Sequence, residues 1–194
     1  MRTAARRGLI VVGLSLLLSG ELRGELPGSN GQAGIPPEVV AEYVYAIVQA
    51  DRHLYSTHVV ERMQELGVTV ATEQWKQQGT LPLPIQMLMM AGEQIEGQGT
   101  RLRIRLTSLS PINKANGPAD EFERAGLEQV LKEPQKPYTG IVRDGDRPMF
   151  KAIYADRAVT KACVDCHNGH ASSHKGSLRL YDVMGGIVIS FPSR

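Results

Sequence analysis

The sequence predicts an α+β fold, and three observations carry that prediction. Apolar residues recur at helical spacing through the first half of the chain. The period drops to two from about residue 101. No strand–helix–strand unit repeats along the way.

Residues 1–24 read as an export signal. Arg2, Arg6 and Arg7 precede an apolar run from Gly8 to Leu18, the length of a signal-peptide core and short for a membrane-spanning helix. Cleavage is expected between Ser19 and Gly24. The alternative is an uncleaved anchor, and only then is a membrane a partner. No cysteine ends the run, so lipid attachment there is excluded. Either way the folded part is exported, which points to the periplasm. Residues 25–37, with Gly, Pro and Ser and no apolar period, read as a linker, and 38–194 as a single domain long enough to bury a core.

Pro36 and Pro37 open a long helix, "EVVAEYVYAIVQADRHLYSTHVVERMQELG". Val40, Val44, Ile47, Val48, Leu54, Tyr55, Val59 and Met63 recur at helical spacing, and Gly67 terminates it. A second helix begins near Pro84 and runs to the breakers Gly97 and Gly99. In "TRLRIRLTS" the period is two: Leu102, Ile104 and Leu106 face one way, Arg101, Arg103 and Arg105 the other, towards solvent. The loop "PINKANGP" leads to a helix with Asp120 as its N-cap. "PYTGIVR", the turn "DGD" and "RPMFKAIYAD" form a β-hairpin, and "GGIVISFP" is a last strand.

The chain is 42% hydrophobic and 22% charged, with a formal charge of +2. Its 22 Lys and Arg are nearly matched by 20 Asp and Glu and interleaved with them, so it is not a nucleic-acid binder, and charge names no other partner.

The two cysteines of the chain lie in "YADRAVTKACVDCHNGHASSHKGS". Cys163-Val164-Asp165-Cys166-His167 is the C-x-x-C-H arrangement of c-type haem attachment. Two thiols three residues apart can each form a thioether to one of two vinyl groups on a porphyrin edge. The next residue then lies under the ring, where an imidazole nitrogen reaches the iron. A Cys163–Cys166 disulfide would close a tiny strained ring and leave His167 unexplained. A thioredoxin-like pair needs a βαβ setting. The strongest rival is zinc, held by Cys163, Cys166, His170 and His174. Export favours one covalent haem c, with His167 as proximal ligand. His170 and His174, among Ser172, Ser173 and Lys175, read as solvated loop residues.

For the other face of the iron the candidates are His58, His53 and the methionines, or an open position. At about 100° per residue, His58 lies about 20° from Ile47 and about 40° from Val44, on the apolar stripe, whereas His53 lies about 180° from Val44. His58 is therefore the first distal candidate, with a core histidine as its plain alternative, and His53 the weaker one. Met87, Met89 and Met90 offer thioether ligands but read better as packing, as do Met149 and Met184.

Taken together, "QADRHLYSTHVVERM", "LPLP", "SPINKANGPADEFERAGL", "YADRAVTKACVDCHN" and "GGIVISFP" resemble an extracytoplasmic c-type haem family with a PAS-like fold. Its members are stand-alone exported cytochromes and sensory domains of histidine kinases. The resemblance covers about residues 38–192. It implies a central antiparallel sheet, flanked by helices, that cups the haem, and it assigns Cys163, Cys166 and His167 to attachment and proximal ligation. Many relatives follow "CHN" with a Pro-Lys segment and a tryptophan, where this chain reads "GHASSHKGSLRLYDVMGG".

The expected function is a periplasmic monohaem cytochrome, in electron transfer or redox sensing with an unknown redox or signalling protein as partner. The alternative is a haem sensor for a gas or small ligand. An enzyme ranks third, because Arg52 beside an unassigned histidine is a weak acid–base set.

Overall fold

The structure, a computed structural model, describes residues 34–173 and 177–193. The expected export signal, most of the linker and His174 lie outside the described residues. Pro37 occupies the first turn of helix α1 (Pro37–Leu54), where its missing N–H costs nothing. The helix continues through a π-helical segment, Tyr55–Glu61, into the short α2 (Arg62–Glu65). It ends at Gly67, whose φ of 64° is the left-handed value that glycine accepts most readily. The long helix has the expected limits, but its π-helical interruption was not legible in the apolar spacing.

Two-residue strands β1 (Ala71–Thr72) and β2 (Leu81–Pro82) pair in parallel around the single turn α3 (Trp75–Gln78). Helix α4 (Pro84–Gly97) starts at its proline and stops at its glycine, as expected. Strand β3 (Arg103–Thr107) follows. Helix α5 (Glu121–Lys132) is capped by Asp120, whose carboxylate accepts from the Glu123 N–H at 2.8 Å. Strands β4 (Tyr138–Asp144) and β5 (Arg147–Arg157) form the hairpin, α6 (Lys161–Gly169) carries the cysteines, and β6 (Val183–Pro192) closes the chain.

The four longer strands make one antiparallel sheet in the order β3-β6-β5-β4. This is the expected α+β architecture: an antiparallel sheet, flanking helices and a long N-terminal helix. Strand alternation sends Ile104, Leu106, Ile187, Ile189, Phe150, Ala152 and Tyr154 to one face, against Ala41 and Val48 of α1 and Leu88 of α4. Ile153, Ala155 and Val188 take the other face, against Val130 and Phe122 of α5. Burying each large aliphatic side chain contributes about 1.5–3 kcal/mol, so both faces hold the sheet.

The three arginines were expected on a solvated strand face, and the structure divides them. Arg101 has a φ of 57° and precedes the strand. Arg103 is exposed and pairs with Glu96 and Asp144 at 3.1 and 2.8 Å. Arg105 donates at 2.7 Å to Glu123, a buried carboxylate that also accepts from the Ala119 N–H and from Lys151. The charge is turned inward because α5 lays Glu123 over the sheet beside β3.

Gly185 sits where β6 passes close to the end of β3. A Cβ there would stand 2.3 Å from the Thr107 carbonyl oxygen, well inside contact distance. Gly185→Ala is therefore expected to cost about 1–3 kcal/mol, as other overpacking substitutions do. Urea unfolding measures this, and an unchanged midpoint would contradict the close approach.

Candidate functional site

Strand β5 ends in a bulge, a register shift between Asp156 and Arg157 where the ladder with β6 becomes irregular. Beyond it Thr160 caps α6, its hydroxyl accepting from the Cys163 N–H at 3.3 Å. The α6 N-terminus is tied to the π-helical segment by the Lys161 N–H, which donates to Glu61 at 2.9 Å. Lys161 also pairs with Asp165 one turn on. On this helix Cys166 and His167 lie three and four residues beyond Cys163, the spacing that puts neighbours on one face. The sequence motif therefore becomes a single surface bearing two thiols and an imidazole. Both thiols are free.

That surface is one wall of a cavity of about 360 Å3. Arg52, Ser56, Val60 and Gln64 form another wall, Thr107 and Gly185 come from the sheet, and the Ser110–Asn113 loop and the start of α4 complete it. A four-residue repeat drifts by about 40° per step on an α-helix, so 52, 56, 60 and 64 would wander off one side. The π-helical segment, with its wider turn, keeps them on the same wall.

The π-helical segment also changes the expectation for the distal histidines. His53 and His58 are both exposed, and neither lines the cavity. The spacing argument followed Ile47, which is 64% exposed, so a residue in line with it points outward. The inner face is instead Ala41, Tyr45, Val48 and Arg52, of which an arginine and an alanine carry little weight in an apolar pattern. Met87, Met89 and Met90 do not line the cavity either, and Met149 is buried in the core. Met184 does line it.

His170 is corrected as well. It is half-buried at the edge of the cavity and keeps part of its surface in solvent, with Nδ1 accepting from the Ser172 N–H at 3.1 Å and Nε2 3.7 Å from Glu73. Among the described residues no three His, Cys, Asp or Glu side chains converge as a metal-binding group, so Cys163, Cys166 and His170 do not form the partial zinc set weighed above.

The sequence reading missed Asp156, and it weighed Arg52 only as a weak acid–base partner of a histidine. Tyr45 on α1 stacks on Tyr154 with ring centroids 4.1 Å apart. Two residues further along β5, on the same face, Asp156 meets Arg52 from two turns further along α1. Nη2 lies 3.1 Å from each carboxylate oxygen, and both side chains are 7% exposed. Nη1 reaches the Arg157 carbonyl only at 3.5 Å, and Nε has no acceptor. The signal that would have found the pair is an arginine one turn after Val48 on an otherwise apolar helix face.

The electrostatics of the wall follow from this. Burial, then the Arg52 charge, then His170 hold the His167 imidazole below its ordinary pKa, which keeps it neutral and able to bind a metal. Burial, then the neighbouring Cys163 thiol and the Glu73 carboxylate, push the Cys166 thiol up. A redox-active dithiol shows the opposite shift.

Fold and site together define an α+β domain with two thiols and a neutral imidazole on one helix face, looking into a largely apolar cavity. The chain belongs to the Tll0287-like family, whose model matches residues 37–192. Among solved structures it is similar to the crystal structure of the cyanobacterial haem protein Tll0287. The TM-score is 0.53 at 15% identity, over 82% of this chain and 98% of that one. At that identity the likeness is one of fold. Among curated protein sequences, none matches the chain.

Proposed function

We propose that this protein is an exported monohaem c-type cytochrome that exchanges electrons, or senses redox state, through a covalently attached haem. The observation that carries the reading is the common face of Cys163, Cys166 and His167 on α6, turned to the cavity wall. The cavity supports it: about 360 Å3 is within the range of roughly 300–1,000 Å3 found for cofactor and ligand sites. Its lining is mostly apolar, and the thiols that would form thioethers are free. The family supports it too, since a solved relative is described as a haem protein.

In this reading the two thiols anchor the porphyrin edge, and His167 supplies a nitrogen to the iron. Haem, when bound, contributes reversible one-electron iron chemistry. The sheet and α1 wall the cavity on one side and, with the buried Arg52–Asp156 pair, would tune the potential of a haem held there. The PAS-like arrangement, export to the periplasm and a separate redox or signalling partner belong to the same proposal.

The test is to mature the chain in a host that exports it and has the haem-attachment machinery. Mass analysis is expected to show one added porphyrin, and the reduced visible spectrum a sharp α band. Recovery of the protein without the added mass, or with zinc in its place, would overturn the reading.

A further inference from the structure

Helix α1 has two apolar faces, and the described chain covers only one of them. Ala41, Tyr45, Val48 and Arg52 turn to the sheet. About 150° away, at about 100° per residue, Tyr43, Ile47 and Leu54 stand in solvent, 61%, 64% and 51% exposed. Ala50 is exposed between them, and Val40 is half-buried at the start of the same stripe. From Val39 to Ala50 the only charged residue is Glu42, and a helix that is apolar all round is normally buried all round. Single exposed apolar residues need no explanation. Among the described residues, however, no other helix has more than one large exposed apolar side chain.

We propose that this stripe is the seam of a parallel homodimer, with α1 of a second copy of the chain as its occupant. Val40, Tyr43, Ile47, Ala50 and Leu54 follow one another at alternating steps of three and four residues. That is the repeat of a two-helix seam, in which equivalent residues of the two copies meet. Val40 and Ile47 fall at the position where β-branched side chains favour a parallel pair. Because seam and sheet lie on nearly opposite sides of α1, the two domains stand outside the pair and do not collide. Charge complementarity permits the same register. Asp51, on one flank of the seam, comes opposite Ala46 of the second copy, so no carboxylate meets another. Residues 1–33 join α1 at its start, and a parallel pair keeps both copies of an N-terminal anchor on one side. The pairing does not depend on haem.

The experiment follows the mass of the matured chain by sedimentation equilibrium over the micromolar range, since so short a seam is a small interface. Wild type is expected to pass from one chain to two as concentration rises. Ile47→Lys and Ile47→Glu are each expected to weaken association about tenfold or more, because a charge would be buried in the seam. Residue 47 faces its own counterpart in a parallel pair, so an equal mixture of the two variants is expected to associate again. Ile47 is exposed in the single chain, so the circular dichroism of both variants should match wild type. Ala50→Glu, one layer along, serves as the second variant should these not accumulate.

A wild type that stays a single chain throughout overturns the inference. If it then floats with vesicles of phosphatidylcholine and phosphatidylglycerol, a lipid surface covers the stripe; if it does not, a different protein does. A dimer that survives both Ile47 variants also overturns it, because the copies then join elsewhere, through the run from Gly8 to Leu18 included. Loss in each variant with no recovery in the mixture overturns the parallel orientation and the proposal with it. Covalent haem, read separately by mass analysis, is untouched by any of these outcomes.

Discussion

Replacing Cys163 and Cys166 together by Ser is expected to abolish covalent haem. Material matured in an exporting host then has the mass of the polypeptide alone, and a denaturing gel stained for haem is blank. Each single variant keeps one thioether and a reduced yield of attached haem. The fold itself is expected to persist. Neither thiol is in a disulfide, and the α6 N-terminus is held by Thr160 and Glu61 rather than by sulfur. Circular dichroism of the apo variant checks that point. Haem that survived denaturation in the double variant would contradict the assignment of these thiols.

Asp156→Ala has the largest expected cost in stability. Removing one partner of a buried ion pair leaves the other charge uncompensated, at about 3–5 kcal/mol, whereas replacing both with apolar side chains of similar size is often nearly neutral. Asp156→Ala and the double variant Arg52→Leu with Asp156→Leu should therefore separate clearly in urea unfolding, with the double variant the more stable. Equal losses would mean that the pair is not as dry as its 7% exposures indicate.

The same carboxylate gives a pH dependence with a definite sign. Burial raises the Asp156 pKa, and the Arg52 charge pulls only part of it back. An acid raised on folding binds more protons in the native state than in the unfolded state between its ordinary and raised values. Its contribution to stability therefore falls as pH rises through that window. Asp156→Asn removes the slope, and urea midpoints measured across the acidic range would show this.

Much of the fold was legible in order along the chain. The helical run that α1 opens and helix α4 both start at prolines and end at glycines, and Asp120 caps α5, because these residues act on the backbone next to them. The hairpin β4–β5 turns at Gly145, with a φ of 62°, for the same reason. Two-residue alternation in β3 gave Ile104 and Leu106 to the core. The short pieces β1, α3 and β2 were not legible, since two-residue strands and a single turn leave no period to read.

At the site, the grouping of two thiols and an imidazole was legible and the surroundings were not. C-x-x-C-H names its own residues because the spacing of thiol, thiol and imidazole is local. That the motif lies on a helix depends on the Thr160 cap and on the bulge that ends β5, which the sequence reading passed over. His170 was read as solvated because Ser172 and Ser173 lie close by, but α6 ends on it beside the cavity, within 3.7 Å of Glu73 from far away in the chain.

The sequence by itself determined most of the longer elements, where most of them stop, and which three side chains share the C-x-x-C-H spacing. Each of those outcomes depends on residues a few positions apart. Only the tertiary structure decided which face of α1 looks into the cavity. Periodicity fixes angles between residues on one helix but not the direction that the whole helix faces, and the π-helical segment changes the angles part-way. Arg52 and Asp156, 104 residues apart, meet only because the β5 bulge and the α1 wall close over the same space.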